Sequence, residues 1–280
     1  MMRLAIISNK TSRNTQALQR VCQDADVECS VYSLASVAID TDSLEAGFYG
    51  NDVYLFRGYN RNYHQAQALA HYLSRRQKIV IDKALVTGFI PSKLHEALVY
   101  KSHDIRHPRT WFIRSLDNIR DELFDFPVVV KDADSEKGKG VRLAQSLDEL
   151  RREIDMHSGR IIVQEFVPMT HDIRVLCVGD QVLGAVRRNV VEGDFRSNVS
   201  LGATTELYQL SPVDKDLALR AHYAMGYDIS GVDVGHLPDG TPFVIETNIT
   251  PEWQGFEKAT SIDVASHIIE YAKERYDCTK

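Results

Sequence analysis

Residues 127–144 read PVVVKDADSEKGKGVRLA, the clearest strand–loop–strand pattern in the chain. An apolar run that ends in Lys131 predicts one strand, and a second strand resumes at residues 141–144. Residues 134–140 between them contain glycine and lysine, and glycine lets backbone N–H groups approach phosphate oxygens closely. No Gly-Lys-Ser/Thr of a Walker A loop is present. Taken alone, the loop fits an ordinary glycine hairpin better than a phosphate-binding loop.

Strand and helix patterns alternate on the N-terminal side of this segment. Short apolar runs predict four strands, at residues 4–7, 27–32, 52–56 and 78–81. Helical spacing predicts helices within residues 11–21 and 63–73. Such alternation is typical of a parallel sheet covered by helices. We therefore predict an α/β domain over residues 1–90.

The C-terminal side mixes hairpins with helices. Strands are predicted at residues 161–165, 173–178, 181–188, 231–234 and 243–247. Helices are predicted at residues 92–100, 146–156, 212–225 and 262–276. Gly179-Asp180 is a hairpin signal, and Ser146 with Glu149 forms a good helix start. This second part therefore has an α+β pattern.

Composition narrows the function classes. The chain has 280 residues and a formal net charge of -6, which argues against a non-specific nucleic-acid binder. Its four cysteines show no C-x-x-C spacing, so neither zinc nor a thioredoxin-like motif is supported. The apolar run at the N-terminus is too short for a secretory signal, and no stretch approaches the length of a membrane helix. We expect a cytoplasmic protein that binds neither membrane nor nucleic acid.

Two carboxylates and an amide form a candidate metal site. Glu246 and Asn248 are two residues apart on a predicted strand, so their side chains point to the same face. Asp233 lies on the preceding predicted strand, joined by a Pro-Asp-Gly turn, and can sit beside them. Hard oxygen ligands suit Mg²⁺, which in turn bridges nucleotide phosphates. A solvated polar face is the alternative, but the apolar flanks indicate burial.

Cationic side chains form the other candidate group. Lys131 emerges from an apolar strand and needs either solvent or an anionic partner. Arginine binds phosphate or carboxylate in a bidentate fork. The predicted strands and a polar loop carry four arginines: Arg174, Arg187, Arg188 and Arg196. Surface salt bridges are the alternative for any single arginine. We interpret His103 and His107 as surface residues, because Pro108 ends any helix that would pair them.

The order of these pieces resembles the ATP-grasp superfamily, and most closely its RimK-type carboxylate–amine ligases. The resemblance covers roughly residues 90–276 and is carried by PVVVK, KGKGV, QEF, DIRVLCVG, RR, EGDFRSN, GVD, ETN and GFEKATSIDVA. It implies a pre-ATP-grasp sheet domain at residues 1–90 and a two-lobed ATP-grasp domain at residues 91–280. Within the latter it implies a lid subdomain at about 122–167 and a core at about 168–280.

The resemblance also implies residue roles. The implied ATP-binding residues are Lys93, Lys131, Ser135, Gly138, Gly140, Gln164, Glu165, Phe166, Val167, Asp172, Arg196, Ser197 and Asn198. The implied catalytic residues are Arg174 and Arg196. Asp233, Glu246 and Asn248 match the family's magnesium ligands, in agreement with the reading from the residues alone.

The implied activity is ATP-dependent amide bond formation through an acyl phosphate, with an amino acid such as glutamate as one substrate. The implied cofactors are ATP and Mg²⁺, with Mn²⁺ as a substitute. The implied partners are a carboxylate and an amine from an amino acid, a peptide or a protein C-terminus, and the protein is expected to be a homo-oligomer. The alternatives are an ATP-grasp kinase and a non-catalytic nucleotide-binding module. Trp253 stands where the family has a glycine, so the sequence near the expected acceptor-substrate site differs from the RimK pattern.

Overall fold

The structure is a computed structural model, and it describes eight stretches of the chain: residues 1–35, 46–88, 92–113, 123–132, 140–157, 161–169, 171–189 and 205–279. The strands in these stretches are β1 (Arg3–Ser8), β2 (Glu28–Ser33), β3 (Val53–Arg57), β4 (Ile79–Ile81), β5 (Thr110–Ile113), β6 (Val128–Asp132), β7 (Val141–Ala144), β8 (Ile161–Glu165), β9 (His171–Val178), β10 (Gln181–Asn189), β11 (Thr205–Tyr208), β12 (Ile229–His236) and β13 (Pro242–Asn248). The α-helices are α1 (Arg13–Asp24), α2 (Ala46–Tyr49), α3 (Tyr63–Arg75), α4 (Ala84–Thr87), α5 (Lys93–Ser102), α6 (Leu147–Met156), α7 (Pro212–Ala224), α8 (Gln254–Thr260) and α9 (Val264–Asp277).

The first sheet is parallel, with strand order β2-β1-β3-β4. All five residues of β3 are buried, as expected for a sheet that is covered on both faces. Helix α1 begins with a capping box in which the Ser12 hydroxyl accepts from the Thr15 N–H and the Thr15 hydroxyl accepts from the Ser12 N–H. Helices α1 and α9 cover one face and α3 covers the other. The predicted parallel α/β sheet is confirmed.

The second sheet is antiparallel, with order β5-β8-β6-β7. Leu150 and Ile154 of α6 pack against its apolar face. Ser146 caps α6 by accepting from the Glu149 N–H, as predicted. Strand β6 carries Lys131, so this sheet brings that lysine toward the third sheet.

The third sheet has order β11-β10-β9-β12-β13 and is antiparallel throughout. One face packs on α7 and α5 through residues such as Val175 and Val232. The other face is apolar at one end, where Leu176 and Val186 join the core around α9. At its other end the same face is polar, and the candidate site is built there. Among the described helices, none is both long enough and apolar enough to cross a membrane.

Candidate nucleotide and metal site

The two carboxylates and the amide predicted as metal ligands lie together on β12 and β13. Asp233 is in register with Glu246, and Asn248 is at the end of β13, opposite Gly231. The Asn248 amide nitrogen donates to Glu246 Oε1 at 3.0 Å and lies 3.5 Å from Asp233 Oδ2. The predicted juxtaposition of the three side chains is therefore present.

Two arginines hold the Asp233 carboxylate. Arg174 on β9 donates from Nε and Nη2 to the two oxygens of Asp233, at 2.7 Å each. Arg188 on β10 lies 2.8 Å from Asp233 Oδ2 and also forks onto both oxygens of Asp172. Burial alone would lower the pKa of the Arg188 guanidinium, but the charges of Asp233 and Asp172 outweigh it and raise that pKa. Asp172, for which the family resemblance implies a nucleotide contact, accepts from Arg188 through both of its carboxylate oxygens.

Arg187 does not belong to this group. It is the neighbour of Arg188 on β10, so its side chain projects from the opposite face of the sheet. Its Nε lies 3.6 Å from Glu206 Oε1, and both side chains are substantially exposed. The predicted set of four arginines therefore loses this member, because strand alternation separates neighbouring side chains.

Two lysines face the carboxylates across a cleft. Lys93 is the first residue of α5, and its Nζ lies 3.4 Å from Glu246 Oε2. Lys131 comes from β6, and burial together with the charge of Lys93 lowers its pKa to about 8. Burial alone would raise the pKa of the Glu246 carboxyl, but the charges of Lys93 and Lys131 hold it well below its usual range. Lys131 is partly buried and makes no ion pair with another described residue, a setting that favours binding an anion.

The cleft is lined by side chains from the second and third sheets and from α5, among them Lys93, Glu96, Tyr100, Lys131, Gln164 and Glu246. Gln164 is buried, and its amide nitrogen donates to the Thr110 hydroxyl at 2.9 Å. Glu165, Phe166 and Val167 continue from Gln164 at and beyond the end of β8. The Glu165 side chain is exposed and accepts from the Arg109 N–H at 3.2 Å, so its carboxylate is directed away from the cleft.

Glu96, one turn after Lys93 on α5, was not predicted as a site residue. Its Oε1 accepts from the Tyr100 hydroxyl at 2.5 Å and from the backbone N–H of Thr247. Tyr100 in turn lies 2.7 Å from the Thr247 hydroxyl. Thr247 stands between Glu246 and Asn248, so Glu96 holds the strand that carries both. The i, i+3 spacing of Lys93 and Glu96 on a predicted helix was the available signal.

His107 was wrongly interpreted as a surface residue. It is half-buried, lines the cleft and packs against Tyr100, with ring centroids 5.5 Å apart. Its Nδ1 donates to the Ile105 carbonyl at 3.0 Å, which fixes the ring. His103 is exposed, as expected. The chain turns at Pro108 to enter β5, and this turn brings His107 toward the cleft.

Part of the predicted site lies outside the described residues: Ser135, Gly138, Arg196, Ser197 and Asn198. Gly140 is described, and it has a positive φ of 77°. Its carbonyl accepts from the Asp132 N–H at 3.1 Å, which closes the base of the β6–β7 loop. A positive φ at this position explains why glycine is used there.

The comparisons with known proteins agree with this geometry. The family model described as the RimK-like ATP-grasp domain matches residues 92–272. The chain belongs to the RimK-like ATP-grasp family. A ribosomal protein bS6–L-glutamate ligase from Shigella boydii serotype 4 (strain Sb227) is 36% identical over 197 residues, which are 67% of this chain and 65% of that protein. The chain thus matches slightly less than two thirds of the length of this relative.

Solved structures support the fold of this RimK-like protein. The ATP-grasp ligase PsnB, complexed with minimal precursor, Mg and ADP, superposes with a TM-score of 0.75 at 16% identity, covering 98% of this chain and 97% of PsnB. D-alanine–D-alanine ligase from Bacillus anthracis, complexed with ATP, gives a TM-score of 0.70 at 16% identity, covering 100% and 98% of the two chains. The predicted ATP-grasp fold is confirmed.

The donor set of the RimK-like chain fits a magnesium ion. Asp233 and Glu246 offer carboxylate oxygens, and an amide flip at Asn248 would present its oxygen to the same point. Mg²⁺ is commonly held by one or two carboxylates, with waters and substrate phosphates filling its other positions. The nearby lysines Lys93 and Lys131 suit those phosphates.

Proposed function

We propose that this chain is an ATP-dependent carboxylate–amine ligase that forms an amide bond through an acyl phosphate. The observation that carries the proposal is a cleft lined by Lys93, Lys131 and Glu246, with Asp233 and Asn248 beside Glu246 on the same sheet. Cations and hard oxygen ligands at this separation suit the triphosphate of a nucleotide and its metal ion. Membership of the RimK-like family and the name of the ligase relative support the same activity.

ATP would lie along this cleft. Lys131, partly buried and without an ion pair to another described residue, would bind phosphate oxygens, and Lys93 would exchange part of its contact with Glu246 for a phosphate. The chain beyond Gln164, through Phe166 and Val167, would supply backbone groups to the adenine. The β6–β7 loop, whose base is closed at Gly140, would cover the phosphates.

Asp233, Glu246 and Asn248 would hold the magnesium ion, with Mn²⁺ as an alternative. When bound, the ion neutralises charge that develops on the phosphates and polarises them toward attack. Glu96 would keep this group in place through its hydrogen bond to the Thr247 backbone. Its contribution is to orient the ligand strand rather than to bind the ion.

An amine can displace an oxygen of a carboxylate only after that oxygen has become part of a good leaving group, here phosphate. A carboxylate oxygen attacks the γ-phosphorus, the bond from that phosphorus to the bridging oxygen breaks, and ADP departs. The amine then attacks the acyl carbon, phosphate leaves, and the amine loses a proton. Arg174 presents a planar fork that matches a phosphoryl group, and together with Arg196 it would neutralise the transferring phosphate.

The substrates are proposed from chemistry and from the relative. An amino acid such as glutamate would supply the amine, and a peptide or protein C-terminus the carboxylate. Trp253, where the RimK pattern has a glycine, is buried in the core around α9 and follows the end of β13 by five residues. We also propose a homo-oligomer, which light scattering after size exclusion would test.

The test incubates the protein with ATP, Mg²⁺ and a mixture of amino acids and peptides. Phosphate release is followed together with product masses, because a ligase yields ADP, phosphate and an amide, whereas a kinase yields a stable phosphorylated product. Glu246→Gln is expected to lower ADP formation by about 100-fold or more while the protein stays folded. Glu270→Gln, an exposed carboxylate on α9, is the matched control and should keep full activity. Full activity of Glu246→Gln would remove the metal assignment.

A further inference from the structure

A buried arginine of the first sheet contacts the loop that follows the metal-ligand strand. Arg57 ends β3 and is only 4% exposed. Its Nη1 lies 3.4 Å from the Ile249 carbonyl oxygen and its Nη2 donates to the Pro251 carbonyl at 3.0 Å. Its Cζ lies 5.2 Å from the centroid of the Trp253 ring. One guanidinium thus contacts three residues within a stretch of five.

The contacted stretch starts at the residue after Asn248, the last residue of β13. Pro251 also packs over Gly231, which pairs with Asn248 across the strands. A Cβ at Gly231 would lie 3.1 Å from Pro251 Cβ and 3.4 Å from Arg174 Cδ. The loop therefore packs against Gly231 through Pro251 on one side and contacts Arg57 on the other. Movement of Ile249 would be transmitted directly to Asn248, because the two are covalently adjacent.

The arginine is unsuited to binding a substrate directly. Both of its terminal nitrogens face backbone carbonyls, and the guanidinium lies over an indole. Burial lowers the pKa of Arg57 to about 10, so the group remains charged at neutral pH.

A second, weaker contact joins the same two parts of the chain. The Thr250 hydroxyl donates to Asn60 Oδ1 at 3.1 Å, in an exposed position. Asn60 follows β3 by three residues, so both contacts come from the carboxyl end of the same strand. That end lies at the point where the strand order 2-1-3-4 reverses, the usual location of functional groups in an open α/β sheet.

We propose that Arg57 is a positioning residue that orients Asn248 for metal binding by fixing the loop from Ile249 to Trp253. It acts through the backbone and touches neither metal nor substrate. The inference rests on the proposed function, since it assumes that Asn248 is a ligand. The N-terminal sheet, which lies outside the family-model match at residues 92–272, would then contribute to the metal site.

The experiment measures Mn²⁺ binding at saturating ADP, from the loss of the electron paramagnetic resonance signal of free Mn²⁺. Arg57→Met keeps an extended side chain over Trp253 but removes the fork, and we expect Mn²⁺ affinity to fall by about 10- to 100-fold. ADP affinity without metal should stay within about twofold of wild type. Arg61→Met, an exposed arginine of the same segment, is the matched control and should bind Mn²⁺ like wild type.

A folded Arg57→Met variant with wild-type Mn²⁺ affinity overturns the inference. If circular dichroism finds this variant unfolded, Thr250→Val becomes the deciding variant, with an expected loss of about threefold in Mn²⁺ affinity from one exposed hydrogen bond. Unchanged affinity there overturns the inference equally. Absence of Mn²⁺ binding by the wild type with ADP would instead defeat the proposed metal site, and with it the function.

Discussion

Replacing Arg188 by methionine would remove the guanidinium that joins two buried carboxylates. Arg188, Asp172 and Asp233 have side chains only 3–4% exposed, and Arg188 forks onto Asp172 while lying 2.8 Å from Asp233. Asp233 keeps its bidentate contact with Arg174 after the replacement, whereas Asp172 loses its fork. The substitution therefore removes the Arg188 cation from two buried carboxylates, of which Asp233 keeps its contact with Arg174.

Breaking a buried ion pair by removing one partner costs about 3–5 kcal/mol. Because one of the two carboxylates retains an arginine, we expect the lower end, about 3 kcal/mol, at pH 7. The assay is the free energy of unfolding from urea titration, followed by circular dichroism. Arg187→Met is the matched control on the neighbouring residue. Its contact with Glu206 is exposed, and we expect a change of about 0–1 kcal/mol.

A third variant separates charge burial from lost packing. Asp172→Asn combined with Arg188→Met removes the buried carboxylate charge together with the arginine, and about 1–2 kcal/mol of the loss should return. Equal destabilisation by Arg187→Met and Arg188→Met would refute the argument from burial. An equal loss in the single Arg188 variant and the double variant would assign the effect to packing instead.

Three further outcomes are expected. Burial lowers the pKa of His222 to about 4, so between pH 6.5 and 4 this histidine is protonated in the unfolded chain but not in the native state, and the free energy of unfolding should fall by up to about 3 kcal/mol over that range. Urea titrations of wild type and His222→Gln at both pH values check this. An equal change in the free energy of unfolding with pH for the two proteins contradicts it. Gly179→Ala should lower the free energy of unfolding by about 2–4 kcal/mol, because φ is +56° and the new Cβ would lie 2.7 Å from the Tyr271 ring. Gly240→Ala is the control: φ is +83° but no atom lies within 4 Å of the new Cβ, so the loss in the same titration should be about 1–2 kcal/mol. Lys131→Met should weaken binding of a non-hydrolysable ATP analogue by about 10- to 100-fold in calorimetry, and unchanged binding would contradict its phosphate contact.

Local sequence signals were sufficient for most of the regular structure. Helix α6 could be placed because Ser146 and Glu149 satisfy its first turn, and the β9–β10 hairpin because Gly179-Asp180 marks the turn. In the longer strands and helices, the hydrophobic period repeats often enough to identify the element. The short helices α2, α4 and α8 were missed because four to seven residues carry too little helical periodicity, and β11 was missed because it lacks the apolar run that marks a short strand such as β4.

The site was predictable where a local rule applied and unpredictable where the contact was long-range. Strand alternation placed Glu246 and Asn248 on one face. No local rule connects Glu96 to the Thr247 backbone, which is 151 residues away, or Arg57 to Pro251, which is 194 residues away. Such contacts depend on how the sheets meet, and that arrangement is a property of the assembled core rather than of any window of sequence.

The two arginines on Asp233 differ in exposure, and this difference separates their roles. The Arg174 side chain is 22% exposed and the Arg188 side chain 4%. A cation that binds at Asp233 competes with both arginines for the same carboxylate oxygens. Arg188 would retain its fork on Asp172 in that event, whereas the more exposed Arg174 would be the one to turn its fork toward an incoming phosphate. In the proposed reaction, binding of a metal ion at Asp233 would therefore be coupled to the release of Arg174 toward the phosphoryl group.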